Sequence, residues 1–293
     1  MCVTCGCSGD DSIKITHFQT GETVRQQMKE GEHYHTHTLP DGTVMTHSHS
    51  HYPTPSVDSP RIHARMHGTT ISLEQDILRK NDLIAAQNRG WFKGRDILAL
   101  NLVSSPGAGK TTLLIRTIND LKAQIPISVI EGDQETVNDA RKIKETGCQV
   151  VQINTGTGCH LDAAMVEQGY SELNPPPHSI VAIENVGNLV CPALFDLGER
   201  AKVAILSVTE GDDKPIKYPY MFRVSDVMIL TKIDLLPYVQ FDIELCLQYA
   251  RQVNPRIRIF QVSALTGEGL EDWYEWLKAQ FQEHCSFMFP KIA

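Results

Sequence analysis

A glycine-rich loop between a predicted strand and a predicted helix constrains the fold of this chain more than any other feature. The loop reads Ser104-Ser105-Pro106-Gly107-Ala108-Gly109-Lys110-Thr111-Thr112. It follows the apolar stretch 97–103 and precedes an apolar helix that begins at Leu113. This is a Walker A loop with one departure, because Ser104 stands where the first glycine is usual. The strand before it and the helix after it favour a phosphate-binding loop over a plain glycine-rich turn with a surface lysine.

The residue types of this loop suit phosphate chemistry. Gly107 and Gly109 let the backbone curl so that its N–H groups point inward at phosphate oxygens. The N-terminus of the following helix adds the positive end of its dipole. Lys110 is predicted to reach the β- and γ-phosphates, and the Thr111 hydroxyl to bind Mg²⁺. The predicted nucleotide-binding residues of the loop are Ser105, Gly107, Ala108, Gly109, Lys110, Thr111 and Thr112.

Short apolar, β-branched stretches recur along the chain, separated by segments long enough for crossover helices. The seven predicted strands are 97–103, 127–130, 150–153, 180–183, 203–208, 227–230 and 257–262. That rhythm is typical of an α/β fold with a mostly parallel sheet covered by helices on both faces. We therefore predict a P-loop NTPase fold, in which ligands bind at the carboxyl ends of the strands.

A second motif predicts which base is bound. Thr231-Lys232-Ile233-Asp234 follows the predicted strand 227–230. The Asp234 carboxylate can accept the N1–H and the exocyclic amine of guanine, whereas adenine offers no such pair of donors. Lys232 can lay its stem across the base. Backbone N–H groups after the last strand are expected to meet the guanine oxygen, in the loop Ser263, Ala264 and Leu265.

Two acidic residues follow strands and are candidates for Mg²⁺ and water. Asp133 ends Glu131-Gly132-Asp133 and is placed like a first switch, while Glu184 opens Glu184-Asn185-Val186-Gly187-Asn188 and is placed like a Walker B acid. Either could bind Mg²⁺ directly or through water, and either could orient the attacking water. Helix capping and turn formation are the alternatives. The predicted catalytic residues are Lys110, Thr111, Asp133 and Glu184. With no glutamine or arginine finger evident, slow intrinsic turnover is expected.

The first part of the chain has a different character. Residues 1–67 hold nine of the twelve histidines and three of the eight cysteines, with few apolar residues to bury. We predict a disordered Cys/His-rich tail over 1–67, a leading helix and connector over 68–95, and a GTPase domain over 96–293. Ser72 with Gln75 resembles a capping box for that helix, and Gly90 is a candidate stop.

Three groups of residues suggest soft or borderline metal ions. Cys2, Cys5 and Cys7 crowd the N-terminus, where thiolates suit Ni²⁺ in a planar site or Zn²⁺ in a tetrahedral one; a redox pair is the alternative. A histidine group suits labile binding of several ions, or forms only a polar linker. It comprises His33, His35, His37, His47, His49 and His51.

The third group is the pair Cys159-His160 together with Cys191. The pair cannot close a metal site unaided, and a lone buried cysteine is usually a small hydrophobic residue. Cys191 lies only a few residues beyond Gly187 in the predicted second switch. A ligand set that includes Cys191 would therefore respond to the γ-phosphate.

Composition excludes several other classes. The formal net charge of -8 argues against nucleic acid as a partner. No apolar run approaches the ~20 residues that span a bilayer, and the N-terminus lacks the pattern of a signal peptide. We therefore expect a cytoplasmic protein without membrane contact, whose cysteines are reduced.

Together these motifs resemble the HypB family, the nickel-inserting GTPases of [NiFe]-hydrogenase maturation. The resemblance covers nearly the whole chain. It rests on the cysteine-rich start, the Walker A loop, the Cys159-His160 pair, the segment 184–191 that ends in Cys191, and the Thr-Lys-Ile-Asp motif.

The resemblance implies binding of GTP and GDP with Mg²⁺, and a homodimer favoured by GTP. It implies a Ni²⁺ or Zn²⁺ site from Cys159, His160 and Cys191 at the dimer interface, and a tighter nickel site from Cys2, Cys5 and Cys7. The implied partners are a HypA-type metallochaperone and the hydrogenase large-subunit precursor. Segment 210–215 also resembles a family signature, with a role at the nucleotide or the dimer contact.

Two other functions stay open at this point. The urease-accessory GTPases share the nucleotide site and a His-rich start, although the N-terminal cysteines and the Cys159-His160 pair favour the hydrogenase branch. A nickel storage protein with a regulatory nucleotide site is the alternative from a different class.

Overall fold

The computed structural model describes residues 12–20, 23–27, 34–38, 44–48, 60–134 and 138–286. The strands are β1 (Ser12–His17), β2 (Thr23–Gln27), β3 (Tyr34–Thr38), β4 (Val44–Ser48), β5 (Ile97–Ser104), β6 (Ile127–Asp133), β7 (Gln149–Asn154), β8 (Ser179–Glu184), β9 (Ala201–Ser207), β10 (Val227–Thr231) and β11 (Arg258–Val262). The helices are α1 (Pro60–Gly94), α2 (Lys110–Leu121), α3 (Asn138–Glu145), α4 (Ala163–Leu173), α5 (Lys214–Lys217), α6 (Pro219–Val224), α7 (Ile243–Val253) and α8 (Leu270–Ser286). Two 3₁₀ turns cover Cys191–Ala193 and Ile233–Tyr238.

One mixed sheet organises the described part of the chain. Its strand order is β11-β10-β9-β5-β8-β6-β7-β1-β2, and the strands from β11 to β7 are parallel. All seven predicted strands are present in this parallel part. Strands β6, β7 and β8 lie on one side of β5, and β9, β10 and β11 lie on the other. The loop after β5 is therefore at the topological switch point, where ligands bind in such sheets.

Helices cover both faces of the sheet, and strand β5 shows why. Leu98, Leu100 and Leu102 pack with α2, α3 and α8, whereas Ile97 and Ala99 face the opposite side, with α1 and α4. Successive side chains of a strand point to opposite faces of the sheet, and all those of β5 are buried. The sheet therefore needs an apolar layer of helices on each face. The predicted P-loop NTPase fold is confirmed.

The structure differs from the sequence prediction in the region before β5. Within the predicted tail, β1 pairs antiparallel with β7, opposing Ile15 to Ile153, and Ile15 is buried. Pairing covers the otherwise open edge of β7. Although the predicted tail is polar in composition, its strands β1 and β2 therefore belong to the sheet.

The leading helix is also longer than predicted, because α1 crosses the boundary placed at residue 67. Ser72 and Gln75 lie inside it, so the predicted capping box is wrong, and the helix ends at Gly94 rather than at Gly90. Tertiary contacts explain the extension past Gly90, since Phe92 is 2% exposed and packs in the core. Packing of this kind outweighs the weak helix propensity of one glycine.

Among the described residues, none of the helices combines the length and the apolar composition that a membrane span requires.

Candidate nucleotide and metal sites

The phosphate loop has the conformation that its glycines allow. Gly107 and Gly109 have φ of 77° and 91°, in the left-handed region that residues with a Cβ rarely adopt. Gly109 immediately precedes α2, so the backbone turns there from strand into helix. The loop therefore presents its N–H groups at a helix N-terminus, which is a site for anions.

The guanine motif packs directly on this loop. The Thr231 hydroxyl donates to the Ala108 carbonyl at 2.6 Å, and the Lys232 ammonium donates to the Gly107 carbonyl at 2.7 Å. Lys232 itself has φ of 60°. These bonds join the end of β10 to the phosphate loop, so the two motifs form one site.

The site opens into a cavity of about 510 Å³. Its lining includes the whole loop from Ser104 to Thr112, with Glu131, Gly132, Asp133, Gln134, Asp139, Lys142, Glu184, Val186, Gly187 and Lys232. All four predicted catalytic residues, and every predicted phosphate-loop residue, therefore face one cavity.

Glu184 is the point on which the phosphate-loop side chains converge. The Lys110 ammonium lies 3.2 Å from Glu184 Oε1, and the Thr111 hydroxyl donates to the same oxygen at 2.6 Å. Glu184 is 2% exposed, and its other oxygen finds no hydrogen-bond partner among the described residues. A buried carboxylate oxygen beside a threonine hydroxyl fits the oxygen ligands that Mg²⁺ prefers.

Glu131 lies beside Glu184 and was not predicted. The two residues oppose each other in register across β6 and β8, and Glu131 is 3% exposed. Burial, with smaller contributions from the charges of Glu184 and Asp133, raises the pKa of Glu131 to about 9. The available signal was its place in a buried strand, two residues before Asp133.

Two further cavity residues were also missed by the sequence prediction. Asp139, in the first turn of α3, lies 3.2 Å from the Thr111 hydroxyl and pairs with Lys142 at 2.9 Å. Gln134 lines the cavity although no glutamine was predicted near the phosphates, and its amide donates to the Gly158 carbonyl at 3.3 Å. Asp139 reaches the phosphate loop only because α3 packs beside it, and sequence spacing does not reveal such a contact.

The remaining base-recognition residues, Asp234 and the loop 263–265, lie at the same edge of the sheet but not in the lining of the phosphate cavity, to which Lys232 belongs. Thr231 and Val262 end neighbouring strands in register, which places the 3₁₀ turn that holds Asp234 beside the loop 263–265. Arg116 donates to the Ala264 carbonyl at 3.2 Å, and the Ser263 hydroxyl accepts from the Thr266 N–H at 3.1 Å. The loop is therefore tied to α2 and closed as a turn.

Cys159, His160 and Cys191 come together as one cluster. One ligand atom from each lies within 4.8 Å of the others, and no other such group of histidine, cysteine and acidic residues occurs in the described part of the chain. Cys191 is buried, while Cys159 and His160 are half-buried. Two thiols and an imidazole are the donor set that Ni²⁺ and Zn²⁺ accept.

The cluster surroundings favour a neutral imidazole. Burial lowers the pKa of His160, only partly opposed by the nearby charge of Asp162. The ring also lies against Phe195, with centroids 4.0 Å apart. A neutral imidazole has a lone pair for a metal ion.

The other predicted metal residues are only partly described. Cys2, Cys5 and Cys7 lie outside the described residues, as do His33, His49 and His51. His35 and His37 lie on β3 and His47 on β4, with His35 opposite His47 in the backbone register.

The fold, the phosphate loop and the guanine motif define a P-loop nucleotide-binding protein of the GTPase class. Residues 98–261 match the family described as CobW/HypB/UreG, nucleotide-binding domain. The hydrogenase maturation factor HypB of Escherichia coli K12 is 45% identical, over 96% of this chain and 99% of its own length. The chain therefore belongs to the HypB family of hydrogenase maturation factors.

Two solved structures are similar to this one. The crystal structure of HypB from Archaeoglobus fulgidus has a TM-score of 0.65 at 35% identity, covering 69% of this chain and 99% of that chain. HypB from Helicobacter pylori, solved in complex with nickel, has a TM-score of 0.65 at 36% identity, covering 70% and 96%.

Proposed function

We propose that this protein is a GTP-hydrolysing metallochaperone that binds nickel at Cys159, His160 and Cys191 and passes it towards the hydrogenase large-subunit precursor. GTP binding pairs two subunits, and hydrolysis releases the metal. Hydrogenase maturation is the role that the names of its relatives carry, and a relative of similar fold was solved with nickel.

The observation that carries this proposal is the set of bonds between the phosphate cavity and the Cys159 loop. The Asp133 carbonyl accepts from the Thr155 N–H at 2.9 Å. Gln134 donates to Gly158, and Asn188 of the second switch donates to the Cys159 carbonyl at 3.3 Å. Both predicted switches therefore hold the loop that carries two of the three metal ligands.

The four predicted catalytic residues each have a part in hydrolysis under this proposal. Lys110 would leave Glu184 to neutralise the β- and γ-phosphates, while Thr111 and Glu184, with Asp133, would hold Mg²⁺. When bound there, the ion would neutralise charge at the phosphate oxygens. Asp133, at the carboxyl end of β6, would orient the attacking water. Slow intrinsic turnover is also part of this proposal; it rests on the sequence, in which no arginine finger could be assigned, although Gln134 lines the cavity.

Asp234 would select guanine, and the stem of Lys232 would lie along the base. The loop Ser263, Ala264 and Leu265 would meet the guanine oxygen. Lys214 of the segment 210–215 lies 3.5 Å from the Ser105 hydroxyl. This contact supports a nucleotide role for that segment, in addition to any role in the dimer.

The remaining parts of the proposal rest on the sequence pattern. They are a homodimer, Zn²⁺ as an alternative ion, a tight nickel site from Cys2, Cys5 and Cys7, a HypA-type metallochaperone as a partner, and a GTPase domain that begins at residue 96. Cytoplasmic location is proposed as well. None of the five cysteines that the structure describes forms a disulfide, in keeping with a reducing compartment.

A competition titration tests the coupling. Nickel affinity of the full chain is measured with GDP and with a non-hydrolysable GTP analogue, in a variant that has serine at positions 2, 5 and 7. We expect different affinities in the two states, and the reciprocal effect of nickel on nucleotide affinity. Equal nickel affinity in the two states would remove the basis of the proposal.

A further inference from the structure

We propose that a buried row of four polar side chains positions the two halves of the metal cluster and connects them to the nucleotide site. The row consists of Asn185, Asn101, Glu199 and Lys202. This inference rests on the proposed function and assigns a positioning role to residues outside both sites.

The first end of the row holds the loop with Cys159 and His160. The Asn185 side-chain oxygen accepts from the Leu161 N–H at 3.0 Å. Leu161 directly follows His160, so this bond fixes the backbone at the imidazole ligand. Asn185 also directly follows Glu184, the residue that touches Lys110 and Thr111. A shift of Glu184 is therefore passed to the metal loop through one covalent neighbour and one hydrogen bond.

The middle of the row crosses the sheet from β8 to the segment before β9. The Asn185 amide donates to Asn101 Oδ1 at 3.2 Å, and the Asn101 amide donates to Glu199 Oε1 at 3.0 Å. Asn101 lies on β5, the strand that leads into the phosphate loop. The other Glu199 oxygen accepts from the Leu197 N–H at 2.7 Å.

The second end of the row holds the turn with Cys191. The Lys202 ammonium lies 3.5 Å from Glu199 Oε1 and donates to the Pro192 carbonyl at 2.8 Å and the Phe195 carbonyl at 3.1 Å. Pro192 directly follows Cys191, and the Phe195 ring lies against His160. Both halves of the cluster are thus tied to one row.

Burial makes the row stiff. Asn101 and Asn185 are at most 1% exposed, and Glu199 and Lys202 are 9% and 7% exposed. A buried polar group that loses its partner is costly, so these groups keep their bonds and move together. Groups that hold the residues around metal ligands set ligand geometry and affinity. The two ends of this row bond to the backbone of Leu161 and Pro192, which directly follow His160 and Cys191.

The test is replacement of Asn101 by leucine, which removes both bonds in the middle of the row and keeps the same branched shape of the side chain. The matched control is Thr117→Val, because Thr117 is also buried and accepts a hydrogen bond from Trp273 at 3.2 Å, far from the metal loops in sequence. Both changes are made in the full chain with serine at positions 2, 5 and 7. Of the five cysteines that remain, only Cys159 and Cys191 belong to the cluster, so thiolate-to-nickel charge-transfer absorption then reports on nickel at that cluster.

We expect Asn101→Leu to weaken nickel binding about 10- to 100-fold, the range for loss of groups that support metal ligands, and to change the charge-transfer spectrum. Thr117→Val keeps both. Nickel binding and spectrum like those of the parent chain in folded Asn101→Leu would overturn the inference. If that variant does not fold, the volume-conserving pair Glu199→Gln with Lys202→Met takes its place, with the same expected and opposing results.

The outcome is separable from that of the proposed function. Equal nickel affinity with GDP and the GTP analogue in the parent chain, together with weaker binding in Asn101→Leu, would leave the row standing and reject the coupling. Coupling in the parent chain with unchanged binding in Asn101→Leu would reject the row alone.

Discussion

The nucleotide cavity and the metal cluster are built in different ways. The cavity lies at the ends of the central strands β5, β6 and β8, and one continuous loop, 104–112, forms much of its wall. The metal cluster instead joins a loop after β7 to a 3₁₀ turn after β8. Its ligands come from two separate segments and depend on the groups that hold those segments. We therefore expect nucleotide binding to be weakened mainly by substitutions in the cavity itself. Nickel binding at the cluster should also be weakened by substitutions at residues that lie away from the ligands.

The largest effect is expected for Asp234→Asn, which puts an amide donor opposite the donors of guanine. Loss of two hydrogen bonds to a charged group, at about 1.5–3 kcal/mol each, weakens GTP binding roughly 10²- to 10⁴-fold. Xanthosine triphosphate should bind well, because its base offers an acceptor to the new amide. The measurement is equilibrium binding of both nucleotides. An unchanged preference for GTP would refute the assignment of the base site.

The substitution Cys191→Ser tests most directly whether the two sites can be impaired separately. We expect nickel binding at the cluster to fall by about 10- to 100-fold or more, since even supporting groups account for that range, while GDP affinity without metal stays within about twofold. Nickel titration followed by charge-transfer absorption and fluorescence titration of GDP measure the two properties.

The control for Cys191→Ser is Cys285→Ser, because Cys285 is a free thiol on α8 outside the cluster. It should leave both affinities unchanged. A similar loss of nickel in both variants would mean that the cluster is not the site that is titrated.

The contact between the phosphate loop and the second switch is tested by Gly187→Ala. A Cβ at position 187 would lie 3.1 Å from three atoms of Pro106, two of them in the backbone. The phosphate loop would therefore have to shift. Overpacking of this kind costs about 1–3 kcal/mol, and we expect GDP affinity to fall about tenfold. Nucleotide titration measures the loss.

Gly90→Ala serves as the matched control, since no atom lies within 4 Å of a Cβ there and Gly90 is within α1. It should raise stability by about 0.5–1 kcal/mol and leave nucleotide binding unchanged. Equal nucleotide affinity in the two variants would show that Gly187 and Pro106 separate without cost.

The same contrast explains how much the sequence could predict. Lys110, Thr111 and Asp234 stand in contiguous motifs beside strands, because phosphate and base recognition require fixed spacing. Glu131, Asp139 and Asn101 were not predicted, since register across β6 and β8, the return of α3 and the packing of β5 bring them into place. The pairing of β1 with β7 was missed for a related reason: an open sheet edge can order a short polar segment whose composition alone predicts disorder.

The smallest effect on the cluster is expected from the histidine group of the N-terminal region. We would replace His33, His35, His37, His47, His49 and His51 by serine, which keeps the chain length and leaves α1 and the β1–β2 hairpin intact. Loosely bound nickel, counted by equilibrium dialysis, should decrease, whereas thiolate-to-nickel absorption and affinity at the cluster stay within about twofold, because distant sites act independently. Hydrogenase activation in cells with plentiful nickel should also persist. Loss of activation under those conditions would favour storage as the main function, and would place the essential metal chemistry in the tail rather than beside the nucleotide.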